Sequence, residues 1–237
     1  MPRSIYIYGF IAQDGASPVH VAGAGSIPVL TPGCGTAEEF PATHQTDPVG
    51  DQALRLVGQL LRQVPPTGRE GMGLFMGTRF GCLEDDRNFQ RSRLADGGKY
   101  ASPAAFRRTL PSTLAAELSI AFAIRGPLIV FAENKTPARR AILHALHWIN
   151  SGRLDSAIAG SFDYFVGHTG KSTTTESGIC RTMLCLLGTD NAFPGLTPWA
   201  AITPATVKTA TDALSQAENG NFEPLMSAMN RPTVVQE

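Results

Sequence analysis

The sequence predicts a layered α/β protein, because apolar segments of strand length alternate with segments of helical periodicity. The clearest unit runs from Arg125 to Gly160. Leu128–Phe131 is an apolar run of strand length, and a helix follows it with its apolar residues at positions 138, 141, 142, 145, 146 and 149. Thr136-Pro137 suits the start of that helix, as an N-cap followed by proline at the first helical position. Gly152 can end the helix in the left-handed conformation.

The remaining elements are assigned in chain order by the same criteria. Strands are predicted from alternating or continuous apolar runs at Ser4–Phe10, Gly71–Gly77, Ala157–Gly160 and Ile179–Leu187. Helices are predicted at Asp51–Gln63, Leu83–Ala95, Ser102–Phe106, Ser112–Ile124 and Thr206–Glu218. The helix at 112–124 is apolar on nearly every side, so we expect it to be central and buried, and we expect the strand at 128–131 to be buried as well. Segments 12–50 and 161–178 are expected to be mainly loop, and 231–237 a flexible tail.

Composition limits the classes of function. The chain has 237 residues, 43% hydrophobic and 17% charged, with a net charge of zero and a pI near 7.0. Such neutrality argues against nucleic-acid binding and suits burial against a protein partner. No apolar run approaches the length of a membrane helix, and the N-terminus lacks a signal-peptide pattern. We therefore expect residues 1–237 to form a single cytoplasmic domain.

No motif predicts a metal or cofactor. The four cysteines are scattered at positions 34, 82, 180 and 185, without zinc-ligand spacing, which fits a reducing compartment. Gly170-Lys171-Ser172 ends like a phosphate-binding loop, but Phe165 stands where that motif needs glycine. The carboxylates of Glu84, Asp85 and Asp86 are interpreted as complementing a helix N-terminus. We expect no cofactor.

Three stretches together resemble the N-terminal half of β-ketoacyl synthases, which have the thiolase fold. They are GLFMGTRFGCLEDD from residue 73, SPAAFRRTLPSTLAAELSIAFAIRGP from residue 102, and ILHALHWINSGRLDSAIAGSFDY from residue 142. The resemblance implies a layered α/β/α thiolase-like fold, consisting mainly of one half of a ketosynthase. Ketosynthases use a cysteine on the turn between the strand after RGP and the following buried helix.

The resemblance places Lys135 at the position of that nucleophilic cysteine. No cysteine occurs between Asp86 and Ile179, so a small shift of the alignment cannot supply one. An acyl group transferred to a lysine would form an amide and would not be released. The family's second half brings two histidines, a lysine and a gating aromatic residue, and nothing after Asp163 resembles their motifs. His168 is interpreted as a loop histidine.

A ketosynthase relative that lacks its nucleophile resembles chain-length factors, and among these the short ketosynthase-like subunits of aryl polyene biosynthesis. The resemblance implies a non-catalytic subunit of a 3-oxoacyl-ACP synthase complex in polyketide or fatty-acid-type synthesis. The subunit would pair with an active β-ketoacyl-ACP synthase as a heterodimer and meet the acyl carrier protein through that complex. By position, the residues expected to shape the acyl tunnel or the interface are Ala105, Phe106, Leu110, Ser112, Thr113, Phe131, Glu133 and Asn134.

Two other functions remain open at the level of sequence. The chain could be an acyl-thioester hydrolase or transferase that uses Cys82, at the start of a predicted helix, or Lys135 together with Glu133. It could also be an adaptor that binds an acidic carrier protein through Arg107, Arg108, Arg139 and Arg140.

Overall fold

The computed structural model describes residues 3–14, 20–23, 48–95, 97–99, 101–166, 178–196 and 200–202, with isolated positions 198, 212 and 216. Its strands are β1 (Ile5–Asp14), β2 (His20–Gly23), β3 (Gly73–Thr78), β4 (Leu128–Ala132), β5 (Ser156–Val166), β6 (Gly178–Thr189) and β7 (Ala200–Ile202). Its α-helices are α1 (Pro48–Leu60), α2 (Leu83–Ala95), α3 (Pro103–Arg107), α4 (Ser112–Ala121) and α5 (Pro137–Asn150), and a 3-10 turn spans Pro66–Gly68.

The seven described strands form one mixed sheet. Six of them follow the order β2-β1-β6-β5-β3-β4, and the seventh, β7, is hydrogen-bonded to β1. β4, β3 and β5 are parallel, whereas β6 is antiparallel to both β5 and β1. Thr78 of β3 pairs with Ala132, and Gly77 pairs with Ser161. The carboxyl ends of the three parallel strands therefore lie side by side.

The core consists of two layers, one on each face of the sheet. Side chains alternate between the faces as strand geometry requires, so Phe75 packs under α5 whereas Leu74 and Met76 pack under α1 and α4. Ala157 and Ala159 of β5 belong to the α5 layer, and Ile158 between them belongs to the other. The predicted α/β/α layering is confirmed.

The helix α5 forms where its periodicity predicts and buries the predicted face: Ala138, Ala141, Ile142, Ala145, Leu146 and Ile149. Gly152 follows it with φ 74°, and the Arg153 N–H donates to the Trp148 carbonyl at 3.0 Å, which closes the last turn as expected. The predicted side-chain cap is wrong in one respect. Thr136 is the N-cap residue, but its hydroxyl makes no capping hydrogen bond.

The expectation of burial is wrong for the strand at 128–131 and only partly correct for 112–124, where Ala115, Leu118, Phe122 and Ile124 are buried. Helix α4 ends at Ala121, and within its span only Ala115 and Leu118 are buried, while Ile120 is 78% exposed. Strand β4 is the last described strand in the hydrogen-bonded order of the sheet, and its residues are half-buried or exposed. Apolar character in a segment does not by itself say whether the same chain covers that segment.

Element boundaries differ from prediction mainly in the strands. β1 extends to Asp14 and β5 to Val166, so the loop expected from 161 onward is wrong for residues 161–166. The loop residues 167–177, the body of the helix expected at 206–218 and the tail at 231–237 lie outside the described residues. In the described parts of the chain no helix has the length and apolar character needed to cross a bilayer.

Candidate functional site

Two turns and one buried carboxylate meet at the carboxyl ends of the parallel strands. The first turn follows β3 and leads into α2, and the second follows β4 and leads into α5. The carboxylate is Asp163 on β5, only 6% exposed. In open α/β sheets, ligands bind at this end of the strands, so the region is the natural candidate site.

Asp163 organises the turn after β3. One carboxylate oxygen accepts hydrogen bonds from the Thr78 hydroxyl at 2.6 Å, the Arg79 N–H at 2.8 Å and the Phe80 N–H at 3.2 Å. The Thr78 hydroxyl oxygen in turn accepts from the Gly81 N–H at 2.8 Å. A buried carboxylate needs such donors to offset its lost hydration. Asp163 was not singled out from the sequence because residues 161–178 were expected to be loop; the continued alternation along β5 is the signal that could have identified it.

The turn after β4 is tied to the first turn and to α5. The Glu133 N–H donates to the Thr78 carbonyl at 3.1 Å, and the Arg79 guanidinium donates to the Lys135 carbonyl at 3.0 Å. The Glu133 carboxylate accepts from the guanidinium of Arg140. The side chain of Lys135 is exposed. Because Glu133 is engaged by Arg140, the arrangement does not support Glu133 as a base for Lys135.

Close contact between β3 and α5 fixes the position of this second turn. A Cβ on Gly77 would lie 2.3 Å from the backbone carbonyl of Pro137. Glycine is therefore required on the strand where the first turn of α5 crosses it. The start of α5 therefore packs directly against the sheet, and this contact also fixes the turn of residues 133–136 that precedes it.

Cys82 has the wrong environment for a nucleophile. Its thiol donates to the Thr109 carbonyl at 2.5 Å and also contacts the Asp86 carboxylate at 3.8 Å. Burial first, then the charges of Asp86 and Asp85, raise the pKa of the Cys82 thiol to about 11. The thiol is thus protonated at neutral pH, although it lies at a helix N-terminus, and the thiolate is the reactive form. The structure argues against the sequence-based candidate Cys82.

Two of the acidic residues beside Cys82, Glu84 and Asp85, are ion-paired. Glu84 pairs with Arg87 at 3.0 Å, and Asp85 pairs with Arg108 at 3.4 Å. These pairs are compatible with the interpretation that the cluster serves the start of α2. Among the described residues, no three His, Cys, Asp or Glu side chains come together as metal ligands.

A cavity of about 70 Å³ lies between the sheet, the start of α2 and the connection from α3 to α4. Met76, Val130 and Phe162 form its apolar floor. Of the predicted tunnel residues, Leu110 and Thr113 line it.

The other predicted site residues lie elsewhere. Phe131 is on the opposite face of β4, where its ring contacts His144 of α5 at 4.7 Å between centroids. Ala105 and Phe106 are in α3, Ser112 is an exposed residue at the start of α4, and Glu133 and Asn134 are in the turn after β4.

Comparison with known families identifies the chain. The model of the β-ketoacyl synthase N-terminal domain matches residues 39–183, more than half of the sequence. The chain belongs to the β-ketoacyl synthase family. A search of curated protein sequences found no match to it.

Solved ketosynthase structures share the fold of this family member. A β-ketoacyl synthase from Burkholderia phymatum STM815 aligns with a TM-score of 0.64 and 16% identity, over 85% of this chain and 63% of that one. The ishigamide ketosynthase/chain length factor aligns with a TM-score of 0.62 and 20% identity, over 84% and 65%. The AntDE:AntF structure, a type II PKS acyl-carrier protein in complex with its ketosynthase, aligns with a TM-score of 0.63 and 12% identity, over 97% and 82%. The predicted thiolase-like fold is confirmed, and the chain spans about two thirds of the first and second of these proteins.

Proposed function

We propose that this ketosynthase-family chain is a non-catalytic, chain-length-factor-like subunit that pairs with an active β-ketoacyl-ACP synthase. The observation that carries the proposal is the turn after β4. Where the family resemblance places the nucleophilic cysteine, the chain has Lys135, whose carbonyl accepts from Arg79. A lysine at this position would trap an acyl group as an amide. The protonated thiol of Cys82 offers no replacement.

The edge of the sheet supports a protein partner. Among the strands that the structure describes, β4 is the last in the hydrogen-bonded order, and it is only half-buried. Edge strands of this kind are templates for pairing with another chain. On α3 and α4 and between them, Phe106, Leu110 and Ile120 are 57%, 54% and 78% exposed. Exposed apolar side chains in this number, next to an open edge, favour an interface.

The proposed partner is a ketosynthase that retains its cysteine. One of the similar structures is itself a ketosynthase/chain length factor, and another is a ketosynthase in complex with an acyl-carrier protein. By analogy with those proteins, the heterodimer would receive its substrates from a carrier protein in polyketide or fatty-acid-type synthesis, including aryl polyene synthesis. The surfaces proposed to shape its acyl tunnel and interface are those of the eight residues named from the sequence.

The two alternative functions have less support. A hydrolase or transferase would need a reactive side chain, and Cys82 and the Glu133–Lys135 pair both lack the required surroundings. An adaptor would need free cationic groups, but Arg108 and Arg140 already pair with carboxylates.

Co-expression tests the pairing. We expect the chain to co-purify with a cysteine-containing ketosynthase from the same genome, and the Ile120→Glu variant to lose the complex while the variant alone melts as the wild type does. Leu94→Glu is the matched control, because Leu94 is similarly exposed, at 72%, near the end of α2. A chain that remains a stable monomer beside the ketosynthase, with product formation independent of it, would contradict the proposal.

A further inference from the structure

Helices α2 and α3 form an arm that rests on the fold without contributing to its core. Neither helix contains a buried residue. Helices of 13 and 5 residues are not stable alone in water and normally gain stability by burying an apolar face. The position of this arm, whose described residues are 83–95, 97–99 and 101–107, therefore depends on specific contacts at its surface.

The contacts that hold the arm together include a ring contact, an ion pair and a hydrogen bond. The rings of Phe89 and Phe106 join its two helices, with centroids 5.4 Å apart. The Asp85–Arg108 ion pair and the hydrogen bond from the Cys82 thiol to the Thr109 carbonyl join the start of α2 to the residues just after α3. The side chains of Asp85 and Arg108 are 27% and 26% exposed, so their ion pair is partly shielded from water.

The ion pair lies at the wall of the cavity described above. Cys82, Asp85 and Arg108 all line it, opposite the apolar floor of Met76, Val130 and Phe162. Its volume of about 70 Å³ is less than half of the roughly 150 Å³ that accommodates a benzene molecule in an apolar protein cavity. In this state the cavity is too small for an extended acyl chain, although its floor has the chemistry to hold one.

We propose that the Asp85–Arg108 ion pair is a latch that limits the depth of this cavity and so determines the length of acyl chain that it accepts. The occupant is the apolar end of an unbranched acyl chain, which reaches the floor when the latch opens and the arm moves away from the sheet. The expected effect of the latch on product length rests on the proposed function, because it requires a ketosynthase partner. The expected effect on acyl binding does not, because it concerns this chain alone.

Binding of cis-parinaric acid, a fluorescent polyene fatty acid, to the full chain tests the latch directly. Arg108→Ala and Asp85→Asn are each expected to tighten binding about fivefold, the factor that a partly shielded ion pair supports. The swapped pair Asp85→Arg/Arg108→Asp is expected to return to the wild-type affinity. Arg107→Ala is the matched control, since Arg107 is the neighbouring exposed arginine at the end of α3.

Unchanged affinity in both single variants, or an equal gain in Arg107→Ala, would overturn the latch. If Arg108→Ala fails to fold, Asp85→Asn and the swapped pair still decide the question. In the reconstituted heterodimer, mass spectrometry of the products is expected to show chains longer by at least one two-carbon unit for Arg108→Ala. A heterodimer that does not form contradicts the proposed function, and the fatty-acid titration still decides the latch.

Discussion

Helices α4 and α5 pack on opposite faces of the sheet and lead into and out of the same strand, β4, yet they relate to the core differently. α5 carries arginines and histidines, and it buries seven residues along one face. α4 has a single charged residue, Glu117, and buries two. The helix with more polar residues is thus the better buried, because its polar positions all lie on one side. In α4 the apolar residues exceed what the core of this chain uses, and the surplus is what we assign to a partner.

The largest expected contrast is between two isoleucines. Ile149 of α5 is fully buried, so Ile149→Ala is expected to lower the free energy of unfolding by about 3 kcal/mol through lost burial and the cavity left behind. Ile120→Ala on α4 is expected to change it by less than about 0.5 kcal/mol. Urea unfolding followed by circular dichroism measures both. Similar losses for the two variants would mean that Ile120 is covered within this chain.

The next largest expected change in unfolding free energy comes from the close packing of α5 against β3. Gly77→Ala places a methyl group against the Pro137 carbonyl, and neither backbone can move without disturbing the sheet or the helix. We expect a loss of about 2–3 kcal/mol in unfolding free energy. Gly71→Ala is the control, since a Cβ there meets no atom within 4 Å. Equal stability of the two variants would show that α5 can lift from the strand at little cost.

Substitutions at the C-terminal ends of α5 and α4 are expected to change stability by smaller amounts and in opposite directions. Both helices are followed by a residue in the left-handed conformation, Gly152 after α5 at φ 74° and Ala123 after α4 at φ 55°. Gly152→Ala is expected to destabilise the chain by about 1 kcal/mol, whereas Ala123→Gly is expected to stabilise it by about 0.5–1 kcal/mol. Thermal melting distinguishes the signs. A stabilising Gly152→Ala would show that the two helix ends do not differ as described.

The smallest effect concerns the two described free thiols, one on each side of the sheet. Burial raises the pKa of Cys185, in the α5 layer, to about 12, and the pKa of Cys82 is raised to about 11. At pH 7 we expect neither to react quickly with iodoacetamide, and Cys82, which is not fully buried, to react first as the pH rises. Peptide mapping by mass spectrometry assigns the sites, and Asp86→Asn should make Cys82 react at lower pH.

The same thiols contribute to the change in stability at alkaline pH. Their pKa values are higher in the folded than in the unfolded chain, so the folded chain retains the protons to higher pH. Their contribution is intact below about pH 9 and is lost as the pH rises through about 11 and 12. Cys82→Ser should reduce the loss. Fast alkylation of Cys82 at pH 7 would contradict this environment and would revive it as a candidate nucleophile.

Local patterns in the sequence predicted the elements well. α2 has the predicted bounds, Leu83–Ala95, and α5 buries the predicted residues, because both follow from spacing and end signals within the segment. The burial of α4 and β4 could not be predicted in the same way. An apolar helix has the same sequence character whether its neighbours are its own sheet or another subunit.

The candidate site was predicted less completely than the fold. The turn at 132–135 was identified because it connects a strand to a well-defined helix, and Leu110 and Thr113 reach the cavity. The partners of these residues come from distant segments: Arg79 binds the Lys135 carbonyl, and Arg140 takes the Glu133 carboxylate. Such pairings depend on how β3, β4 and α5 are placed in space, which no local pattern encodes.

The hydrogen bonds of Asp163 also have a consequence for how the chain folds during synthesis. The Thr78 hydroxyl donates to the carboxylate of Asp163, which lies 85 residues later in the chain, so this hydrogen bond cannot form until Asp163 has been synthesised. At a synthesis rate of roughly 5–20 residues per second, that partner emerges about 4–17 s after Thr78 does. Throughout this interval the turn after β3, which leads into α2, lacks the carboxylate that its hydroxyl and two backbone N–H groups bind in the folded chain. The arm is therefore expected to be among the last parts of the nascent chain to take its final position.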